Sequence, residues 1–306
     1  MPALHCLPDD RTVPAAGGQT LLASLLQAEV PLAHACGGNA RCSTCRVEVR
    51  EGLANCAPRP AEERVLAERL GLPDEVRLSC RTRIRGDVTV RRLVLDREDE
   101  ELVSQIGPSP LETVVGRELP LAVLFADLAG FTAFSEAVPA YDVVHLLNRW
   151  FRRAARSVEA EGGYVDNYIG DGLMALFGVD GKPDATLRAV RAGLALLRAA
   201  EELAGYVRSG YGRDFAVRVG IHHGEAVVGL VGACSRPRET AIGDTVNTAS
   251  RIEAANKEFG TGLLLSEEAH AEVVGRVRVG QRVTAAIRGK RGEHALYEVL
   301  GTLGDP

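Results

Sequence analysis

The chain has 306 residues, which at roughly 150 residues per domain suggests two domains. A hydrophobic share of 46% and a charged share of 25% are those of an ordinary globular protein and exclude fibrous or long disordered architecture. The net charge of −5 argues against bulk-charge binding of nucleic acid or an acidic membrane, and Asp127, Arg188, Arg191 and Arg198 interrupt the apolar runs before any reaches the roughly 20 residues of a membrane span.

The N-terminus, MPALHCLPDDRTV, lacks the basic start and apolar core of a secretory signal, so the expectation is a cytoplasmic protein. In that compartment seven cysteines read as metal ligands or free thiols rather than disulfides, and six of the seven lie before residue 81. A helix is expected over Thr20–Val30, where Leu21, Leu22, Leu25 and Leu26 share a face, with strand pieces at Arg77–Leu78 and Asp87–Val90. Between them Cys36, Cys42, Cys45 and Cys80 have the spacing C-x5-C-x2-C-x34-C. Gly37 and Gly38 let the loop bend around a bound group and turn N–H groups toward sulfur. Four thiolates suit zinc or an iron–sulfur cluster. Structural zinc ligands usually arrive as two short-spaced pairs, so three cysteines on one loop with a single distant partner favour the cluster. Cys6, Cys56 and Cys234 lie outside this spacing and read as inert thiols.

An acidic run from Asp96 to Glu101 and the Gly107-Pro-Ser-Pro110 stretch mark a connector. The expected organisation is a first domain at 1–92, a linker at 93–117 and a second domain at 118–306. In the second, a buried strand is expected over Leu119–Phe125, ending at Asp127 and followed by Gly130-Phe131-Thr132. A helix through Val143–Phe151 comes next, then two strands around a Gly170-Asp171 turn, a helix carrying Leu187, Val190, Leu194 and Leu197, and a strand over Ala216–Ile221 with His222-His223 at its end. Mixed order of this kind predicts an α+β or α/β sandwich. Asp127 and Asp171 are each ordinary cap or turn residues taken singly. Both follow apolar strands and adjoin glycines, where a carboxylate pair could hold Mg²⁺ with a substrate triphosphate. Asn247 and Arg251 share a helix face at i, i+4.

The stretches PLAHACGGNARCSTCRVEV and RLSCRTRIRGDVTV resemble the [2Fe–2S] ferredoxins of the plant and vertebrate type, which implies a β-grasp fold and a [2Fe–2S] cluster on Cys36, Cys42, Cys45 and Cys80. VLFADLAGFTAFSE, YIGDGLMALFG, VRVGIHHGEAVVG and IGDTVNTASRIE resemble the successive core motifs of class III nucleotidyl cyclases. That resemblance implies a ferredoxin-like α/β catalytic domain working as a homodimer with interfacial active sites and two Mg²⁺ or Mn²⁺ per site. By position it makes Asp127, Asp171 and the Leu128 carbonyl metal ligands, Gly130, Phe131 and Thr132 a triphosphate cradle, and Asn247 and Arg251 the catalytic pair from the opposite chain. Arg288 stands where the family usually has a phosphate-binding Lys. At the purine positions Thr240 fits the ATP type, while Asn167 stands where adenylate cyclases have Lys and guanylate cyclases Glu. With no Glu there, ATP is the expected substrate and diphosphate the by-product. His222 and His223 read as structural.

The expectation is therefore a redox-regulated adenylate cyclase served by a redox partner protein, with no nucleic acid and no membrane as partner. The alternatives are a guanylate cyclase, or an electron-transfer ferredoxin whose cyclase-like domain only binds nucleotide.

Overall fold

The computed structural model describes residues 1–15, 18–93, 116–232 and 238–304. Cys234 and nearly all of the expected linker lie outside the described residues. The chain divides into two compact units, Met1–Arg117 and a second made of Glu118–Val231 with Arg238–Pro306.

In the first unit β1 (Ala3–Leu7), β2 (Arg11–Pro14), β3 (Arg46–Glu51), β4 (Val76–Leu78) and β5 (Val88–Arg92) form one sheet in the order β2-β1-β5-β3-β4. The β1–β5 pair is parallel and the other pairs are antiparallel. Helix α1 (Leu21–Gln27) packs on it, which is the β-grasp arrangement the resemblance implied. Thr20 caps α1 by accepting from the Ala23 N–H at 3.3 Å, and the helix stops short of the expected Val30 because Glu29 takes a left-handed φ of 57°. Leu21, Leu22 and Leu25 are buried against Leu4, Val47, Leu78 and Val90. Helix α2 (Ala61–Leu70) is tied to β4 by a buried bidentate pair: Arg77 donates to both Glu63 oxygens at 2.9 and 3.1 Å, and Glu63 also accepts from the Leu78 N–H at 2.8 Å. This clamp closes two residues before Cys80.

The second unit is built on β6 (Gly116–Leu128), β7 (Tyr164–Ile169), β8 (Gly172–Phe177), β9 (Val217–Val231), β10 (Arg238–Ile242), β11 (Leu263–Ser266), β12 (Val277–Ala286) and β13 (Glu293–Thr302). The order is β12-β13-β11-β9-β6-β8-β7, with β10 hairpinned onto β9. The helices are α3 (Phe131–Ala137), α4 (Ala140–Ala160), α5 (Ala185–Tyr211), α6 (Asp244–Phe259) and α7 (Glu267–Ala271). β6 reads as a continuous apolar run because both its faces are buried. Ala122, Leu124, Ala126 and Leu128 join the core that includes Trp150, Leu196 and Phe177, whereas Leu121 and Val123 join Met174, Val228 and Ala249 of α6. No helix of the described residues is long and apolar enough to cross a membrane.

Two strand limits differ from expectation. β6 begins at Gly116, inside the expected linker, because Arg117, Glu118 and Pro120 masked its start. β9 runs ten residues beyond Ile221, so His222 and His223 lie within a strand and not at its end. Their polar side chains break the apolar pattern, yet both are satisfied: His222 Nδ1 pairs with Ser266 Oγ at 2.7 Å and His223 Nδ1 with Thr186 Oγ1 at 2.9 Å.

Candidate functional site

The cysteine loop is held in left-handed backbone at Gly37 (φ 66°), Gly38 (φ 81°) and Ala40 (φ 56°). Such turns aim successive N–H groups into one concavity. Cys36 accepts from the N–H groups of Arg41, Asn39 and Cys42, Cys42 from that of Thr44, Cys45 from that of Cys80, and Cys80 from that of Ala40. A side chain at Gly38 would press on Leu22 at 3.4 Å, so the loop is seated directly on α1. The thiols associate as Cys36 with Cys42 and Cys45 with Cys80. Accepting the partner's S–H lowers Cys36 to about 5 and Cys45 to about 7. Among the described residues no three Cys, His, Asp or Glu side chains converge as a single-ion site. Two thiol pairs with N–H donors at sulfur fit two metal atoms bridged side by side better than one tetrahedral zinc. Cys6 is buried, donates to Asp9 at 3.7 Å, and is pushed up to about 12 chiefly by burial. Burial also raises Cys56.

In the second unit strand register brings Asp127 and Asp171 together. Ala126 pairs with Leu173 and Ile169 with Gly172, so the two-residue Gly170-Asp171 turn lies beside the end of β6. The carboxyls share a hydrogen bond, and Asp127 is pushed up to about 6 by burial and then by the Asp171 charge. Burial raises Asp171 as well. The Leu128 N–H donates to both carboxylates. A side chain at Gly172 would stand 2.9 Å from Asp127 Oδ1 and 2.9 Å from the Ala126 carbonyl, so the glycine is required for the approach. Hard oxygen donors set this close suit Mg²⁺ or Mn²⁺. Gly130 (φ 75°) leads into α3, leaving Phe131 half-buried and Thr132 exposed beyond the strand end.

Asn247 and Arg251 lie on α6, exposed and half-buried respectively. The helix is locked to β9, since a Cβ at Gly220 would lie 2.1 Å from the Glu253 backbone nitrogen, and Asn256 Nδ2 donates to the Val219 carbonyl at 2.9 Å. The β12–β13 turn carrying exposed Arg288 abuts the same helix: a Cβ at Gly289 would be 3.3 Å from the Arg251 guanidinium, and Lys290 pairs with Asp244 at 3.0 Å. Asn167 is half-buried on β7, and Thr240 on β10 donates to Asp166 at 2.8 Å.

Two residues beside the site escaped sequence reasoning. Glu253 of α6 is pushed up to about 7 by burial and the Asp127 charge, with Arg218 opposing. Asp166 is a buried carboxylate between Tyr164 and Asn167. Neither belongs to a spacing pattern; burial of a charge, which only the fold reveals, is the signal.

Residues 115–300 match the model of the adenylate and guanylate cyclase catalytic domain, and residues 4–85 that of the 2Fe-2S iron-sulfur cluster binding domain. An adenylate cyclase of Anabaena cylindrica is 33% identical over 65% of this chain and 41% of its own length. The chain thus spans less than half the length of the curated relatives first matched. Among solved structures, the guanylyl cyclase Cya2 superposes with a TM-score of 0.58 at 31% identity, covering 62% of this chain and 96% of that one. The adenylyl cyclase CyaB from P. aeruginosa gives 0.58 at 28% identity, covering 62% and 98%. The family match and the superposition on solved cyclases agree, and the chain belongs to the adenylate and guanylate cyclase catalytic domain family, with a 2Fe-2S cluster binding domain ahead of it.

Proposed function

We propose that the protein is an adenylate cyclase that converts ATP to 3′,5′-cyclic AMP and diphosphate. The observation that carries this reading is the Asp127–Asp171 pair, two carboxylates brought to one hydrogen-bonded contact at a strand end in a domain of the cyclase family. Asp127, Asp171 and the backbone of Leu128 would hold two Mg²⁺ or Mn²⁺. When bound, these ions make the ribose 3′-hydroxyl more acidic and offset the charge of the departing pyrophosphate. Arg251 stabilises the negative charge that grows on the α-phosphoryl oxygens, and Asn247 orients the ribose. Arg288 and the backbone of Gly130, Phe131 and Thr132 hold the triphosphate. No protein nucleophile is needed. Burial lowers His222 to about 4, leaving it neutral at pH 7 and consistent with a structural role.

The working unit is a homodimer whose active sites combine Asp127 and Asp171 of one copy with Asn247 and Arg251 of the other. Exposed Tyr168 and Ile169 on β7, and Val227, Leu230, Val231 and Ile242 on the β9–β10 hairpin, supply apolar surface for that association. Thr240, with no Glu at position 167, supports ATP as substrate. In the first unit Cys36 with Cys42, and Cys45 with Cys80, would each hold one iron of a [2Fe–2S] cluster. Such a cluster supplies a one-electron change of charge, and cyclisation itself consumes no electron, so its presence in one chain with a cyclase domain supports redox control of the rate.

Anaerobically purified protein given ATP or GTP with Mn²⁺ tests the reading. Cyclic AMP as the main product is expected. No cyclic nucleotide from either substrate overturns the enzyme assignment, and faster turnover of GTP overturns the purine assignment. Equal rates for oxidised, dithionite-reduced and cluster-free protein would remove the redox control.

A further inference from the structure

The purine positions carry a feature with no part in the reading above. Along β7 the register with β8 steps from Val165↔Ala175 to Asn167↔Met174, so Asp166 is an extra residue with no partner opposite. A bulge of this kind re-aims a side chain out of the strand's alternation. Asp166 is directed at β10, its side chain fully buried, and its Oδ2 accepts from Thr240 Oγ1 at 2.8 Å and from Arg238 Nη2 at 2.9 Å. Arg238 also donates to the Asp166 carbonyl. The second carboxylate oxygen, Oδ1, is buried without a protein partner.

We infer that Asp166 is a positioning residue for purine choice: it accepts the Thr240 hydroxyl's one hydrogen bond, so that Thr240 can offer a base only an acceptor. An ionised carboxylate has no proton to donate, and a threonine hydroxyl has a single one. With that proton committed to Oδ2, the free lone pairs of Thr240 Oγ1 can only receive a hydrogen bond. Adenine presents a 6-amino donor and guanine a 6-oxo acceptor. Two acceptors facing each other leave both unpaired and desolvated, which penalises guanine. The device would explain how ATP is selected although Asn167, which can donate or accept, decides nothing. It also assigns Arg238 a purpose, since its guanidinium offsets the cost of burying the Asp166 charge. This inference rests on the cyclase reading with Thr240 at the base.

The test compares kcat/KM for ATP, ITP, GTP and 2,6-diaminopurine riboside triphosphate in the wild-type protein and in Asp166→Asn and Thr240→Val. In the wild type each 6-amino substrate should exceed its 6-oxo counterpart, ATP over ITP and diaminopurine over GTP, by about tenfold. Asp166→Asn, whose amide can donate to Thr240 and free its proton, should bring both ratios to within about twofold. A purely structural role for Asp166 would lower all four substrates alike and leave the ratios standing, which overturns the inference. Should Asp166→Asn fail to fold, Thr240→Val and the wild-type series decide: persistence of the 6-amino preference without the hydroxyl overturns it. Wild-type preference for GTP over ATP sinks the purine reading itself. Preference for ATP that survives both variants sinks the roles of Asp166 and Thr240 and leaves the cyclase reading standing.

Discussion

The thiol loop and the carboxylate pair gather their donors in opposite ways. Three of the four proposed cluster cysteines lie within ten residues, and left-handed glycines plus local N–H groups set their geometry. Asp127 and Asp171 belong to different strands and meet only because β6, β8 and β7 pair in one register. The first centre is therefore specified by spacing within the chain, the second by strand alignment. The difference extends to assembly. The proposed cluster draws all its ligands from one copy, whereas the proposed catalytic site is divided between two.

The largest expected effect tests that division. Asp127→Ala and Asp171→Ala should each lower turnover by about 10³-fold or more, because a lost metal ligand removes several kcal/mol of transition-state stabilisation. Mixing Asp127→Ala with Arg251→Ala chains should recover part of the activity in mixed dimers, read as cyclic nucleotide formed. Absence of recovery would contradict the divided site. Mixing cysteine variants should recover nothing. Cys36→Ser, Cys42→Ser, Cys45→Ser or Cys80→Ser should each lose iron and visible absorbance, while Cys6→Ser, Cys56→Ser and Cys234→Ser keep both. Zinc without iron in anaerobic preparations would refute the cluster.

A smaller effect tests the register. Gly172→Ala places a methyl 2.9 Å from Asp127 Oδ1, and strain of about 1–3 kcal/mol should lower the rate about 10- to 100-fold. The cluster absorbance, set by an independent loop, should not change. The smallest effect is one of pH. Asp127 and Glu253 rise from ordinary values of 3.8 and 4.5 to about 6 and about 7. A raised carboxyl pKa favours the folded state while both states are protonated, and that contribution fades as pH rises through the folded value. Stability of the second unit in metal-free protein should therefore weaken between about pH 4 and pH 7, with the burial-lowered His222 offsetting part of the loss below pH 6.5, and Mn²⁺ should restore it at the upper end, where the carboxylates are ionised. Calorimetry checks the sign; stability that rises over this range without metal would contradict it.

Much of this was legible in the sequence, but unevenly. The cysteine spacing, the glycines around Asp127 and Asp171, and the leucine face of α1 are local signals, and each leads to the element observed. The far half of β9 was hidden because His222, His223 and Glu225 interrupt its apolar pattern, and the partners that satisfy the histidines, Thr186 and Ser266, are distant in sequence. The β9–β10 hairpin exposes Val227, Leu230, Val231 and Ile242, and apolar residues on an exposed face blur the alternation that would mark it. Asp166 and Glu253 read as solvated charges until the sheet buries them. A bulge changes the phase of a strand by one residue, and alternation cannot report a shift that occurs inside a six-residue element.

The placement of that bulge has a consequence for communication between copies. β10 leads through Gly243 directly into α6, so the proposed purine positions Asn167 and Thr240 belong with Asn247 and Arg251 of the same chain. Asp171, at the tip of the same β7, would serve the other centre of the dimer. β7 and its turn would then have a purine at Asn167 and a metal carboxylate four residues further on at Asp171, each in a different reaction. In the proposed dimer, a ligand that straightens or sharpens β7 at Asp166 would be felt at Asp171 of the same chain, which serves the other centre, so the two reactions would run as correlated events, with occupancy of one altering the readiness of the other.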